Sequence, residues 1–147
     1  MMAVISITDA VVKMDATEGG AVADYSSEII SGTLETTRNN TPHYTFGSAA
    51  AKVSVGRYTG TLTIVVEANT SATSLHGVLS TMAVDSSPTA RSFEVFAPTT
   101  ASGSHKYTFE AHLTAYTLVN SDAGGNGVAT HQATFAIDGT ITYTVVT

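Results

Sequence analysis

The feature that most constrains this chain is a two-residue period in its side chains. Over residues 107–115 the odd positions are Tyr107, Phe109, Ala111, Leu113 and Ala115, while the even positions are Thr108, Glu110, His112 and Thr114. Alternation of this kind puts one face of an extended strand into a core and the other into water. Residues 129–137 repeat it, with Ala133, Phe135 and Ile137 inward and Thr130, Gln132 and Thr134 outward. Ile141, Tyr143 and Val145 then alternate with Thr140, Thr142 and Thr144, so a third run with an inward apolar face is expected up to the last residue. Threonine supplies much of the polar half, and its branched Cβ suits a pleated surface.

Earlier strands are expected over residues 4–8, 11–15, 25–37, 53–58, 61–67 and 92–97, bounded by Gly, Asn, Asp and Pro. Residues 15–20 and 121–127 read as hairpin connections. One segment breaks the period. In residues 70–83, Leu75, Val78, Leu79 and Met82 fall at i, i+3, i+4 and i+7, predicting a short amphipathic helix that Thr70, Ser71 or Ser74 can cap. The fold class is therefore all-β with one short helix, an antiparallel sandwich or barrel, in one domain over residues 1–147. No internal repeat stands out from a Thr-rich background.

Composition excludes several functions. There are no cysteines, which removes disulfides, thiolate metal sites and cysteine nucleophiles. A net charge of −6 with six scattered basic residues argues against a protein that grips nucleic acid by its phosphates. No apolar run approaches the roughly 18 residues of a membrane helix, and the opening residues lack a basic n-region, so neither a membrane anchor nor a cleaved leader is expected.

Catalytic and metal chemistry is looked for in vain. His43, His76, His105, His112 and His131 lie on different elements or at spacings that pair none of them as ligands, and His131 reads as a hydrogen-bonded core histidine. Glu35, Glu67, Glu94 and Glu110 sit singly on wet strand faces. No nucleophile elbow, phosphate loop or dinucleotide fingerprint is present, and residues 122–127 are too poor in carboxylates for a calcium loop. No catalytic residue, metal or cofactor is expected. The irregular stretch 38–52 is the exception in texture. It is rich in Asn, Thr, Gly and Ala and carries Arg38, His43, Tyr44, Phe46 and Lys52, and a long loop inside a compact β domain is usually functional.

The order of features resembles the tail tube proteins of long-tailed bacteriophages, related in fold to the tube protein of type VI secretion. The residues that carry it are Ile7-Thr8-Asp9-Ala10-Val11-Val12-Lys13-Met14-Asp15 before a Gly-rich turn, and the strand Tyr25-Ser26-Ser27-Glu28-Ile29-Ile30-Ser31-Gly32-Thr33-Leu34-Glu35. After these come Tyr44-Thr45-Phe46-Gly47, Gly56-Arg57-Tyr58-Thr59-Gly60-Thr61-Leu62-Thr63, a short helix, Arg91-Ser92-Phe93-Glu94-Val95 and two long closing strands. Each motif is weak alone, and the order carries the likeness.

The resemblance implies a structural subunit that closes into hexameric rings, stacked into a tube in the virion tail and made in the bacterial cytoplasm. It implies tape-measure and tail-terminator proteins as partners, with DNA passing through unheld. The contact between rings would fall on Arg38, His43, Tyr44, Phe46 and Lys52, and the bore on strand faces such as Ser31, Thr33, Glu35, Thr130, Gln132 and Thr134. The dimensions are compatible. Six subunits giving about four strands each, at about 4.8 Å spacing and about 40° tilt, make a barrel about 48 Å across, which admits a duplex about 20 Å wide. Six copies at −6 give about −36 per ring, a wall that repels phosphates. Another phage structural β protein, either a capsid decoration or a tail-completion subunit, is the alternative, followed by a carbohydrate-binding module, for which only eleven Phe and Tyr are present.

Overall fold

The computed structural model describes residues 10–47, 49–120 and 130–147. Alternation becomes seven strands: β1 (Val11–Asp15), β2 (Val22–Asp24), β3 (Ile29–His43), β4 (Lys52–Glu67), β5 (Arg91–Ala97), β6 (His105–Tyr116) and β7 (Thr130–Val145). A helix, α1 (Leu75–Ala83), lies between β4 and β5. All strand pairs are antiparallel, in the order β2-β1-β5-β6-β7-β4-β3. The expected antiparallel fold with one helix is present as a single sheet that curves without closing.

The core lies on one face. Phe93 and Phe109 oppose one another across β5 and β6 with ring centroids 5.3 Å apart, and Phe135 meets Phe93 edge-on at 4.8 Å. Such pairs add about 0.5–1.5 kcal/mol beyond their burial. Met14, Leu62, Ile64, Val66, Ala111 and Ala133 complete the face, and Leu75, Leu79 and Met82 of α1 cover it. Ser74 is the cap, its side chain accepting from the Gly77 amide at 3.2 Å, while Glu28 Oε1 accepts from the Leu75 amide at 3.1 Å. Gly77 is required here, because a Cβ would stand 2.4 Å from the Ala72 carbonyl oxygen.

Four sequence readings are corrected. Residues 53–58 and 61–67 are one strand, as are 129–137 and 141–145. In the latter, Gly139 at φ 81° lets β7 carry two more residues than β6 between the pairs Glu110↔Asp138 and Thr108↔Thr142. The strand expected over 25–37 begins after Tyr25 and a 3-10 turn (Ser26–Glu28), and it runs on to His43. The irregular stretch 38–52 shrinks to residues 44–51, because Asn40, Thr41, Pro42 and His43 pair with Val55, Ser54, Val53 and Lys52. β3 is an edge strand, where a proline's missing donor breaks no ladder. Finally, of the inward trio only Ile141 is partly buried, and Tyr143 and Val145 are 52% and 49% exposed. They oppose Tyr107 and His105 on β6, at the margin of the face, where the described residues leave them half open. The strand expected over 4–8 and the connection 121–127 lie outside the described residues.

Candidate assembly surfaces

The six proposed bore positions come together on the face opposite the core. Antiparallel partners share a face, and the register places Thr33 beside Thr63 and Thr63 beside Thr134. Ser31 aligns with Val65 and then Gln132, Glu35 with Thr61, and Thr130 with Glu67. The result is a patch of hydroxyls and one amide with few charges. Further across the sheet the same face carries Lys106–Glu94 and His112–Asp138 pairs, each 3.3 Å apart. Glu94 is therefore paired and not single, though such solvated pairs contribute only about 0–1 kcal/mol.

β3 and β4 are much longer than their neighbours, and this sets up a second surface. β4 pairs with β7 only from Thr61 to Glu67, so the segments towards His43 and Lys52 project from the sheet as a two-stranded arm. Val53 and Val55 are exposed, and at the tip Tyr44 is 76% and Phe46 fully exposed. Arg38, His43 and Lys52 belong to the strands, leaving Tyr44 and Phe46 of the five contact candidates on the loop itself. Arg38 is at the root, donating to the Gly56 carbonyl at 3.1 Å with its guanidinium 5.2 Å from the Tyr58 ring centroid. The arm is also electrically distinct. Residues 36–58 hold Arg38, Lys52 and Arg57 and no carboxylate, against twelve acidic and three basic side chains elsewhere.

At the root of the arm is a feature that sequence reasoning missed. Because the sheet curves without closing, a cavity of about 540 Å³ opens between β3 and the ends of β1, β5, β6 and β7. Val12, Leu34, Leu62, Ile64, Val95 and Ile141 line it, with Arg38, Tyr58, Tyr107 and Tyr143 around them. Tyr58 ties the arm's root to β7 by accepting from the Ile141 amide at 2.7 Å, and Tyr143 is hydrogen-bonded to His105 Nδ1 at 2.7 Å. The signal for it in the sequence was the apolar alternation at Ile141, Tyr143 and Val145, which marks the correct face but not whether that face is covered.

The histidines divide. His131 is buried and its Nδ1 donates to the Thr117 carbonyl at 2.7 Å, as expected of a core histidine. Though 55 positions away, His76 of α1 stacks on it with ring centroids 3.9 Å apart and hydrogen-bonds Tyr116. Desolvation first, then the neighbouring His131, lowers the His76 pKa, and burial pushes that of Tyr116 up to about 12. Among the described residues no three His, Asp or Glu side chains gather in a group that could hold a metal ion.

No family model matches the chain, and no curated protein does. Solved structures do. A chain of the anti-feeding prophage baseplate, six-fold symmetrised, aligns at TM-score 0.76 and 13% identity over 99% of both chains. One from the tail of an empty gene transfer agent particle, of C6 symmetry, aligns at 0.68 and 14% identity, covering 92% of this chain and 96% of that one. One from the sheath-tube complex of an extracellular contractile injection system aligns at 0.67 and 13%, covering 97% and 92%. At these identities the likeness is one of fold. This chain has the fold found in those tails and injection systems, over essentially its whole length.

Proposed function

We propose that this chain is a structural subunit of a tail tube, closing into six-membered rings that stack around a bore. The observation that carries the reading is the hydroxyl-rich face of β3, β4 and β7, in a chain whose whole fold matches components of six-fold particles. A face of Ser31, Thr33, Thr63, Gln132 and Thr134 is wettable yet offers no cluster of cations, which is what a conduit for a polyanion needs. On this reading Glu35 and Thr130 also face the bore, DNA slides past without being held, and tape-measure and terminator proteins meet the tube at its ends in the virion tail. The whole-chain likeness to tail components weighs for a tube over a capsid decoration subunit.

Among the described strands the long β3 and the short β2 are the sheet edges, and they support closure through neighbours, since unpaired strand edges are satisfied when subunits join. Electron microscopy of the purified protein over a concentration series tests this. Rings with six-fold symmetry, or tubes built from them, are the expected outcome. A monomer that persists at the highest concentrations overturns the reading.

A further inference from the structure

Two apolar features have no counterpart among the described residues: the aromatic tip of the arm and the cavity at its root. We propose that the cavity of one copy receives the arm tip of a neighbouring copy, with the Phe46 ring seated among Val12, Leu34 and Ile64 and Tyr44 at the mouth beside Tyr143. This rests on the tube-subunit reading for the identity of the neighbour, and goes beyond it by naming the acceptor.

Three observations converge. The first is reach. Arg38 lines the cavity and Tyr44 lies six residues further along a strand, about 20 Å away at about 3.3 Å per residue. Apart from one bulge between Arg38 and Asn40, ladder pairs hold the two strands together out to His43↔Lys52, so the arm stays extended and its tip is held away from its own cavity. An arm tip that fills this cavity therefore comes from another molecule. The second is fit. A volume of about 540 Å³ with aliphatic walls and tyrosines at the rim has the size and lining of a site for a group the size of an aromatic side chain or two. Phe46 and Tyr44 are the most exposed aromatic residues among those described. The third is charge, which acts between the copies as wholes and not at the cavity wall: the arm carries three basic groups and no acid, while the rest of the chain carries twelve acids against three bases, so arm and body of different copies attract. A contact between two different patches is heterologous and propagates, as stacked rings require.

The absence of cysteine makes the test clean. Thr36 is exposed and lines the cavity. Phe46→Cys and Thr36→Cys proteins, mixed and oxidised, should give at least ten times more covalent dimer than either alone. Phe46→Ala and Thr36→Trp should each raise the protein concentration needed for association tenfold or more at unchanged melting temperature. The double variant should lose no more than the worse single one, because both changes remove one contact. Normal tubes with no excess of mixed dimer and no loss in Phe46→Ala overturn the acceptor and leave the tube reading standing. Absence of rings or tubes from the unaltered protein overturns the tube reading, and mixed dimer formed even so would still support the contact. Two further results overturn the proposal. One is duplex-DNA binding that is lost when Arg38, Lys52 and Arg57 become Gln, with no mixed dimer, which assigns the arm to nucleic acid. The other is an intramolecular disulfide joining Thr36→Cys to Ile7→Cys, which assigns the cavity to the chain's own first residues.

Discussion

The body and the arm are built from the same Thr-rich antiparallel strands, and only one of them has an inside. In the body, β5, β6 and β7 turn Phe93, Phe109 and Phe135 towards one another beneath α1, and the central ladder pairs are backed by a dry face. In the arm, the ladder continues through one bulge from Arg38↔Tyr58 to His43↔Lys52, yet Val53, Val55, Tyr44 and Phe46 are largely exposed. Hydrogen bonds set the shape of both regions, but net stability comes from apolar burial, at about 25 cal/mol per Å². A two-stranded ribbon without a covering layer is marginal by itself. The arm is therefore a surface awaiting completion by something else.

Substitution should separate the two regions sharply. Phe135→Ala empties a fully buried site and should cost about 3–5 kcal/mol in chemical denaturation of the monomer, whereas Phe46→Ala should change it by less than about 0.5 kcal/mol. Equal losses for the two would erase the distinction. Glycines give the next largest contrast. Gly77→Ala drives a methyl into the Ala72 carbonyl and should cost roughly 1–3 kcal/mol of global stability by overpacking. Gly56→Ala makes a contact as short, 2.5 Å to the Asn39 carbonyl oxygen, but in the arm. Its melting temperature should hold while assembly fails.

Between body and arm stands the last stretch of β7. Tyr143→Ala and Val145→Ala should each cost less than about 1 kcal/mol in the monomer, well below the figure for Phe135, because both side chains are half open to water. A loss near that of Phe135 would mean that this end of the strand is part of the body's core. The smallest expected effect is electrostatic. His76 has its pKa lowered in the folded state, so folding favours the neutral ring. Its contribution is complete above the unfolded value of 6.5 and is lost as the pH falls below it, towards the lowered folded value. Denaturation midpoints measured between pH 5 and 8 should fall on the acid side, and His76→Gln should flatten that limb.

The body was legible because its signal is local. Alternation at Tyr107, Phe109 and Ala111 survives without knowledge of the partner strands, and Leu75, Leu79 and Met82 announce their helix face by spacing alone. The arm was misread for the converse reason. Asn40 and Pro42 carry turn chemistry, and only their pairing with β4, at the edge of the sheet, holds them extended, with Asn39 at the bulge between them and Arg38. The six bore candidates were placed on one face by parity, and register then brought them side by side. Tyr143 and Val145 show where parity ends: it tells which way a side chain points, and not whether the sheet curls far enough to cover it. The stacking of His76 on His131 joins a helix to a strand, which no spacing rule reaches.

Pro42 has a consequence beyond its own strand. Among the described strands β3 is a long edge, and such an edge invites any passing extended chain to dock and extend the sheet indefinitely. At Pro42 the outward row of donors is interrupted, one residue before the strand ends. An incoming segment can zip along the inner part of β3 and must let go there. The imino ring works as a punctuation mark: it sets how far a visitor may read along the edge, and it keeps the arm's tip out of any runaway ladder.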